Sequence, residues 1–416
     1  MKNLERLFLY TAVFPLILIS CNTQDASTEI ENPHSENPIE APLENSVIIV
    51  ENSDELITAL SKVKVGDSIV VKEGTYELDS KIRIFKSGTA DKKISLTAAA
   101  DGERPIFDFS SMSESSSNHG IVLNADFWHI KGLEIFGAGD NGMKIEGNNN
   151  IIEFCSFSEC HDTGLQLDNG AANNTILNCD SFFNADSSLE NADGFACKLS
   201  AGTGNKFIGC RAWQNLDDGY DGYLRDTDNI KTIYENCWAF KNGYLKNGIR
   251  GSGDGNGFKT GGSDDKNLKH HASYYNCIAT GNTGDGFDHN SNRGDILIYN
   301  CTAYNNDKDN FGFGGTNRVG KLVIKNSAVL GAPGNFKADE INVSHNSWEE
   351  AISATENDFV SLKIDELMAI RKADGSLPEV NFMHLTQGSD LINAGIDVGI
   401  PYNGSAPDLG VFEYAN

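Results

Sequence analysis

Three kinds of residue recur in phase along this chain, and that recurrence constrains its fold more than any other feature. Cysteines stand at 155, 179, 210, 237, 277 and 301. Five places after the last five of them come Asn184, Asn215, Asn242, Asn282 and Asn306. A third column, nine places after the cysteine, holds Gly164, Gly219 and Gly286, each followed by Leu165, Tyr220 or Phe287. Gly194-Phe195 and Gly257-Phe258 repeat that step after insertions. The shortest interval, about 24 residues, matches one turn of a solenoid, and the longer ones fit the same turn with loops inserted on one side. In a parallel stack, successive coils lie roughly 4.8 Å apart, so equivalent positions form vertical rows. An asparagine row hydrogen-bonds along its length at a bend, where backbone groups need partners, and the apolar rows fill the interior. The expected fold is all-β, a parallel β-helix (solenoid).

The columns also decide how the cysteines are read. Eight follow Cys21, most of them in the repeat, and no C-x-x-C pair occurs. They are expected to be small core residues rather than disulfides or zinc ligands. Ser327 takes the column's place in Asn326-Ser327-Ala328-Val329-Leu330, after which the regularity fades.

A solenoid leaves open ends, which need covering. Val47 to Val50 reads as a strand, and Ser53 to Val63 carries Leu56, Ile57, Leu60 and Val63 at helical spacing, which predicts a helical N-terminal cap. Coils are expected mainly over 64–345, with an irregular C-terminal cap over 346–416, partly helical in 347–372 and packed on the far end. Before this domain, which spans 46–416, two other segments are expected. Lys2 and Arg6 precede an apolar run from Leu7 to Ile19, the size of a signal-peptide core, ending in Leu18-Ile19-Ser20-Cys21. That ending resembles a bacterial lipobox, which makes 1–21 a lipoprotein signal peptide and Cys21 the lipidated residue. An ordinary secretory signal is the alternative; either way the chain is exported. Residues 22–45 hold six acidic side chains and no Lys or Arg, the composition of a disordered acidic tether.

The formal net charge of −26 argues against nucleic acid or an anionic membrane surface as a partner; a membrane enters only through the lipid anchor. An acidic polymer is an unfavourable ligand for the same reason, unless a metal ion or a local basic patch reverses the field.

Between Asn191 and Gly262 the register makes a map. Asp193, Asp218, Asn256 and Asp285 stand immediately before the glycine, and Asp221, Lys259 and Asp288 two places after it. Asp193 and Asp218 are therefore expected one above the other, with Asp217 and Asp221 flanking the second and Lys259 one coil beyond Asp221. Four carboxylates this close repel one another unless a cation neutralises them. Oxygen ligands in that number suit Ca²⁺ better than Mg²⁺ or Zn²⁺. Spacing alone leaves a second reading open, that the Asp-Gly steps are turn residues on a solvated face.

The segments Asn191–Leu199, Cys210–Tyr223, Glu235–Tyr244, Gly255–Gly262, Asn282–Asn290 and Tyr299–Asn306 resemble, in order and spacing, the motifs of polysaccharide lyase family 9, the pectate lyase L type. The resemblance runs from about Ser46 to the C-terminal Pro407–Tyr414 segment. It implies a right-handed parallel β-helix, Asp193, Asp217, Asp218 and Asp221 as calcium ligands, and Lys259 as the Brønsted base. It implies calcium-dependent β-elimination on the uronic acids of pectic polygalacturonate (homogalacturonan), an acidic plant cell-wall polysaccharide. A monomer is expected. One difficulty follows from charge: four ionised aspartates around one Ca²⁺ hold the lysine protonated, and Asp288 pushes the same way. Candidate uronate-binding residues are Arg211, Arg225, Arg250 and Arg293, with Lys266, Lys269, His270 and His271; Trp213, Tyr220, Tyr223, Trp238 and Phe313 are candidates for stacking on sugars. Three rivals stand beside this reading: a rhamnogalacturonan lyase of the same family, an inverting pectin hydrolase using Asp217 and Asp218, and a non-enzymatic glycan-binding β-helix.

Overall fold

The computed structural model describes residues 45–349, 352 and 354–415. The signal peptide, the lipobox at Cys21 and the tether lie outside the described residues, apart from Asn45. The rest is a right-handed parallel β-helix of three sheets. Sheet A has 12 strands from Val47–Val50 to Ala338–Ser344, sheet B has 10 from Thr75–Glu77 to Ala328–Leu330, and sheet C has 9 from Ile82–Ile84 to Phe311–Gly312. Each coil visits A, B and C in turn, as Asn205–Ile208, Arg211–Trp213 and Tyr220–Asp221 do.

The corners explain the columns. The corner from A to B turns on one residue in the left-handed region just before the cysteine, or before Ser327 in its place: Phe154, Asn178, Gly209, Asn236, Asn276, Asn300 and Asn326 all have φ between 51° and 63°. Asparagine and glycine are the residues that adopt this conformation at least cost. The cysteine beyond is fully buried, its thiol aimed at backbone carbonyls, and all eight described cysteines are free. At the corner from B to C the asparagine side chains point inward and form a ladder. Asn184 Nδ2 donates to Asn215 Oδ1 at 2.8 Å, Asn215 to Asn242 at 3.1 Å, Asn242 to Asn282 at 3.0 Å and Asn282 to Asn306 at 2.9 Å. A second ladder, through Asn150, Asn174 and Asn205, closes the corner from C to A.

Aromatic rings fill the interior behind the central coils. Phe195, Tyr220, Phe258, Phe287 and Phe311 of sheet C stack with centroids 5.3, 4.6, 4.9 and 5.1 Å apart. Phe207, Tyr234 and Tyr274 form a parallel stack on sheet A that meets the first edge-on.

The helix spans Ser53–Lys62, with Asn52 capping it by accepting from Glu55 N. It covers the first coil with Leu56, Ala59 and Val63, while Ile57, expected on the buried stripe, is 46% exposed. At the other end Trp348 packs on Phe311 and Phe336. The tail beyond differs from the expectation that it sits on the far end. It runs back along the outer face of sheet B, where Phe359, Leu367, Phe382, Leu385, Leu391 and Leu409 form a second core with Trp213, Trp238, Phe240 and Ile278. Its helical content is two short 3₁₀ turns, Glu356–Asp358 and Ile364–Met368.

A buried ion cluster fastens this tail. Asp180 accepts from Arg211 Nε and Nη2, both at 2.8 Å, and from Arg371 Nη2 at 2.7 Å. Arg211 Nη1 also donates to the carbonyls of Leu367 and Ala369. Burial raises the Asp180 pKa, but Arg371 and Arg211 outweigh it and hold the carboxyl below its usual range. Asp180→Ala strands two buried guanidiniums and is expected to cost roughly 3–5 kcal/mol in denaturant unfolding. Because the folded pKa is depressed, this contribution is present above the unfolded value, about 3.9, and is lost as pH falls through the folded one. The stability gap between wild type and Asp180→Asn should therefore shrink in titrations taken below about pH 4.

Candidate active site

Sheet C strands are short at the centre of the helix, and their alternation sets what faces outward. The first residue of each is a buried apolar side chain, Met143 and Leu165 in the earlier coils and an aromatic from Phe195 on, so the second points away from the core. The outward row runs Lys144, Gln166, Ala196, Asp221, Lys259 and Asp288, each paired in register with the next. Lys259 therefore stands directly beside Asp221, one coil on, as the register map predicts. Glycine precedes the aromatic because the coils touch there: a Cβ at Gly219 would lie 2.6 Å from the Gly257 carbonyl oxygen and 2.7 Å from Asn242 Nδ2.

The residues before that glycine complete the cluster. One carboxylate oxygen from each of Asp193, Asp217 and Asp218 lies within 4.8 Å of the others. Backbone amides hold them. Asp193 Oδ1 accepts from Asp218 N at 3.2 Å, Asp218 Oδ1 from Asn256 N at 2.8 Å and Asp217 Oδ1 from Asp254 N at 2.5 Å. Asp221 stands slightly apart, its Oδ1 accepting from Tyr223 N at 3.0 Å. Asp193, Asp218 and Asp221 are buried, as is Lys259 at 9% exposure.

Two residues that the register map does not mark belong to the site. Lys198 Nζ donates to Asp193 Oδ2 at 2.6 Å and lies 3.3 Å from Asp221 Oδ2. Asp254 Oδ2 is 3.0 Å from Lys259 Nζ, which also lies 3.0 Å from Asp218 Oδ2. The only sequence signal for Lys198 was its place in the Asn191–Leu199 run, and Asp254 stands just outside the Gly255–Gly262 run.

The charges strain one another. Burial and then Asp193 push the Asp217 carboxyl up to about 7. Burial and Asp217 raise Asp218, against the pull of Lys259. Asp193 is raised by burial despite Lys198, whereas at Asp221 burial is outweighed by Lys259 and Lys198, and its pKa falls. For Lys259 itself burial favours the neutral amine, but Asp218, Asp221 and Asp217 prevail and keep it firmly protonated. Despite the nearby ammonium, Asp218 Oδ2 is buried without a hydrogen-bond donor. An orphaned carboxylate oxygen beside two more carboxylates fits a hard divalent cation. Asp193, Asp217 and Asp218 are the residues that would hold it, with Asp221 alongside.

The arginines do not converge here. Arg211 is corrected outright: it is 3% exposed on sheet B, committed to Asp180 and the tail, and no polymer can reach it. Sheet C forms the floor of the site; Arg250 lies in the loop leading into its strand Phe258–Lys259 and pairs with Asp307, and Arg225 follows its strand Tyr220–Asp221 and pairs with Asp264. Arg293 donates to the Arg318 carbonyl. His270 is a core residue between Thr232 and the Gly222 carbonyl. Tyr220, Trp238 and Phe313 are buried, and Trp213 is sandwiched between Phe182 and Phe240 beneath the tail, so none of the four is free to stack on a sugar.

Comparison with known proteins places this geometry. A family model described as the Pel9A-like, right-handed β-helix region matches residues 44–327, and one described as rhamnogalacturonan lyase-like, C-terminal, matches 337–412. The chain is 38% identical over 368 residues to pectate lyase L of Dickeya dadantii, covering 85% of this chain and 84% of that one. It is 37% identical over 366 residues to pectate lyase L of Paenibacillus polymyxa, covering 83% and 80%. Its fold is similar to the crystal structure of pectate lyase Pel9A, with TM-score 0.80, 35% identity and coverage of 89% of this chain and 97% of that one. It is also similar to a solved rhamnogalacturonan lyase, with TM-score 0.72, 27% identity and coverage of 82% and 97%.

Asp218→Asn removes one charge but keeps the oxygen that accepts from Asn256. Because burial and Asp217 disfavour the Asp218 charge, the variant is expected to melt higher than wild type in chelator, by roughly 2 °C. A lower melting temperature by calorimetry would mean that the Lys259 pairing dominates instead.

Proposed function

The chain belongs to the Pel9A-like family of right-handed β-helix lyases, the pectate lyase L type of polysaccharide lyase family 9, and on that premise we propose that it cleaves polygalacturonate by calcium-dependent β-elimination with Lys259 as the base. As a family member it is a polysaccharide lyase acting on pectic material; the polymer, the ion and the base are the proposal. The observation that carries it is the in-register apposition of Asp221 and Lys259 beside the three converging carboxylates.

Asp193, Asp217, Asp218 and Asp221 would hold the ion. Bound there, calcium would offset the carboxylates and bind the substrate's own carboxylate, acidifying the proton at C5. Lys259, on the same face, takes that proton. The electron pair left behind forms the C4–C5 double bond as the C4–O bond breaks; the leaving sugar oxygen keeps the bonding pair and takes up a proton from solvent, to which Lys259 returns its own, so no water is consumed. Lys259 accepts a proton only as a neutral amine, so the carboxylates that hold it protonated must have their charge engaged first. Arg225 and Arg250, on loops bordering the floor, would be the arginines to meet neighbouring uronates, exchanging Asp264 and Asp307 for the substrate's carboxylates. The leader and lipobox add an exported, lipid-anchored location to this reading.

A second reading, rhamnogalacturonan lyase chemistry at the same residues, has support from the match over 337–412 and the likeness to a rhamnogalacturonan lyase. The inverting-hydrolase reading loses ground. It asks for carboxyl groups roughly 6.5–9.5 Å apart, whereas oxygens of Asp217 and Asp218 lie within 4.8 Å.

The test follows ultraviolet-absorbing unsaturated product from polygalacturonate and from rhamnogalacturonan, each with calcium and with chelator. Product from polygalacturonate that depends on calcium is expected. Product from rhamnogalacturonan alone would favour the second reading, and cleavage without unsaturation would sink both. Lys259→Ala should lose turnover by a factor of roughly 100 to 10,000 while keeping the wild-type circular dichroism spectrum.

A further inference from the structure

Lys198 is the cationic side chain of the carboxylate cluster to which the chemistry above gives no part. It follows the floor strand Phe195–Cys197, whereas Asp193 precedes it. Between them on the outward face stands Ala196, paired in register with Asp221. A methyl at that position leaves the floor low enough for the lysine chain to lie back across it. The ammonium ends 2.6 Å from Asp193 Oδ2 and 3.3 Å from Asp221 Oδ2, and its side chain is only 17% exposed.

The position matters because Asp193 is one of the three converging carboxylates. Its Oδ1 accepts from Asp218 N, and its Oδ2 from Lys198 Nζ and, at 3.2 Å, from Thr163 Oγ1, which brings no charge. Lys198 therefore already holds a carboxylate whose charge a divalent ion would share. The cluster as a whole has five carboxylates, those of Asp193, Asp217, Asp218, Asp221 and Asp254, against the ammoniums of Lys198 and Lys259, so carboxylates remain in excess to attract a divalent ion.

We propose that Lys198 is a built-in counter-cation of this site, competing with the divalent ion for Asp193 and thereby weakening calcium binding while keeping the metal-free site folded. The proposal rests on the calcium reading given above. In competition of this kind, deleting the internal cation tightens binding of the external one, the opposite of what deleting a ligand or a packing residue does. Lys198→Met keeps the length and apolar stem of the side chain and removes its charge; Lys198→Arg keeps the charge.

Calorimetric titration of calcium chloride into the full chain and both variants tests this. Wild type is expected to bind, Lys198→Met to bind about tenfold or more tightly, and Lys198→Arg to stay within about threefold of wild type, as expected for one unit charge at a partly buried site. Lys198→Met should also melt lower than wild type in chelator and gain more from calcium. If wild type binds calcium and Lys198→Met binds equally or more weakly, the counter-cation role is wrong and the calcium site stands. If none of the three binds calcium, the calcium reading fails and takes this proposal with it. Should Lys198→Met not fold in chelator, acetylation of wild-type Lys198 followed by mass spectrometry decides. Faster labelling with calcium supports displacement from Asp193; equal or slower labelling overturns it.

Discussion

Register is the constraint on which the rest of this molecule depends. Each central floor strand shows the solvent a single residue, because an interior aromatic stands on one side of it and the coil turns away on the other. A slip of one residue would drive Asp221 and Lys259 into the ring stack and expose Tyr220 and Phe258. The stack, with centroids 4.6–5.3 Å apart over five coils, opposes such a slip at every level simultaneously. The asparagine ladder adds a second lock, since each amide must meet its neighbour one coil along. Chemistry on the outside is thus positioned by packing on the inside.

That rigidity lets the site hold charges that would otherwise separate. Two unit charges at 4 Å interact by about 4 kcal/mol at the effective dielectric of a protein surface. Three carboxylates converge here at comparable range, and mobile loops would splay them. Instead Asp218 N, Asn256 N, Asp254 N and Tyr223 N each donate to a carboxylate of the cluster. Lys198 and Lys259 lie across it from neighbouring coils. The arrangement is set in advance for a cation whose binding relieves strain already present, so little reorganisation is left for the moment of binding.

The parts of this fold that were legible in the sequence are those where one local requirement repeats in phase. The left-handed residue at the A-to-B corner favours Asn or Gly, with Phe154 the exception before Cys155, which is why Asn precedes Cys in so many coils. Tight contact between coils excludes a Cβ at Gly219, which is why glycine precedes the floor aromatic. The pairing of Asp221 with Lys259 follows from those columns alone. Arg211 was misread for the opposite reason. Its alternation marks it as outward-facing, but the tail that buries it returns from Leu367 and Ala369, and no periodicity announces a partner so far along the chain. Trp213 and Trp238 share that fate. Lys198 lay inside a recognised motif, yet whether it points along the groove or back across Ala196 depends on side-chain packing that spacing does not encode. The second ladder, through Asn150, Asn174 and Asn205, keeps phase too, five places before Cys155, Cys179 and Cys210, but it is short: Thr232, Ala272 and Ile296 take its place in the next coils.

The drift in the repeat carries information of its own. From the column cysteines at 179, 210, 237, 277 and 301 to the asparagine is a constant step of five, so the sheet B strand and the corners that flank it keep one length. The variable lengths lie around sheet C. Between the asparagine and the floor glycine the chain is short at Asn215–Gly219 and long at Asn184–Gly194 and Asn242–Gly257. The short turn holds Asp217 and Asp218, and the long loops rise on either side of it. They meet above it: Ser252 N donates to the Leu189 carbonyl at 2.9 Å, and Gly253 sits so close that a Cβ there would lie 2.5 Å from the Leu216 carbonyl oxygen. Walls of this kind exclude water from a turn that would otherwise be solvated, and Asp218 is fully buried as a result. The alternative that spacing left open, turn residues on a wet face, fails at this point. The Asp-Gly step is a turn, but its neighbours' insertions take it out of water, and a desolvated carboxylate next to others needs a cation in a way that an exposed one does not.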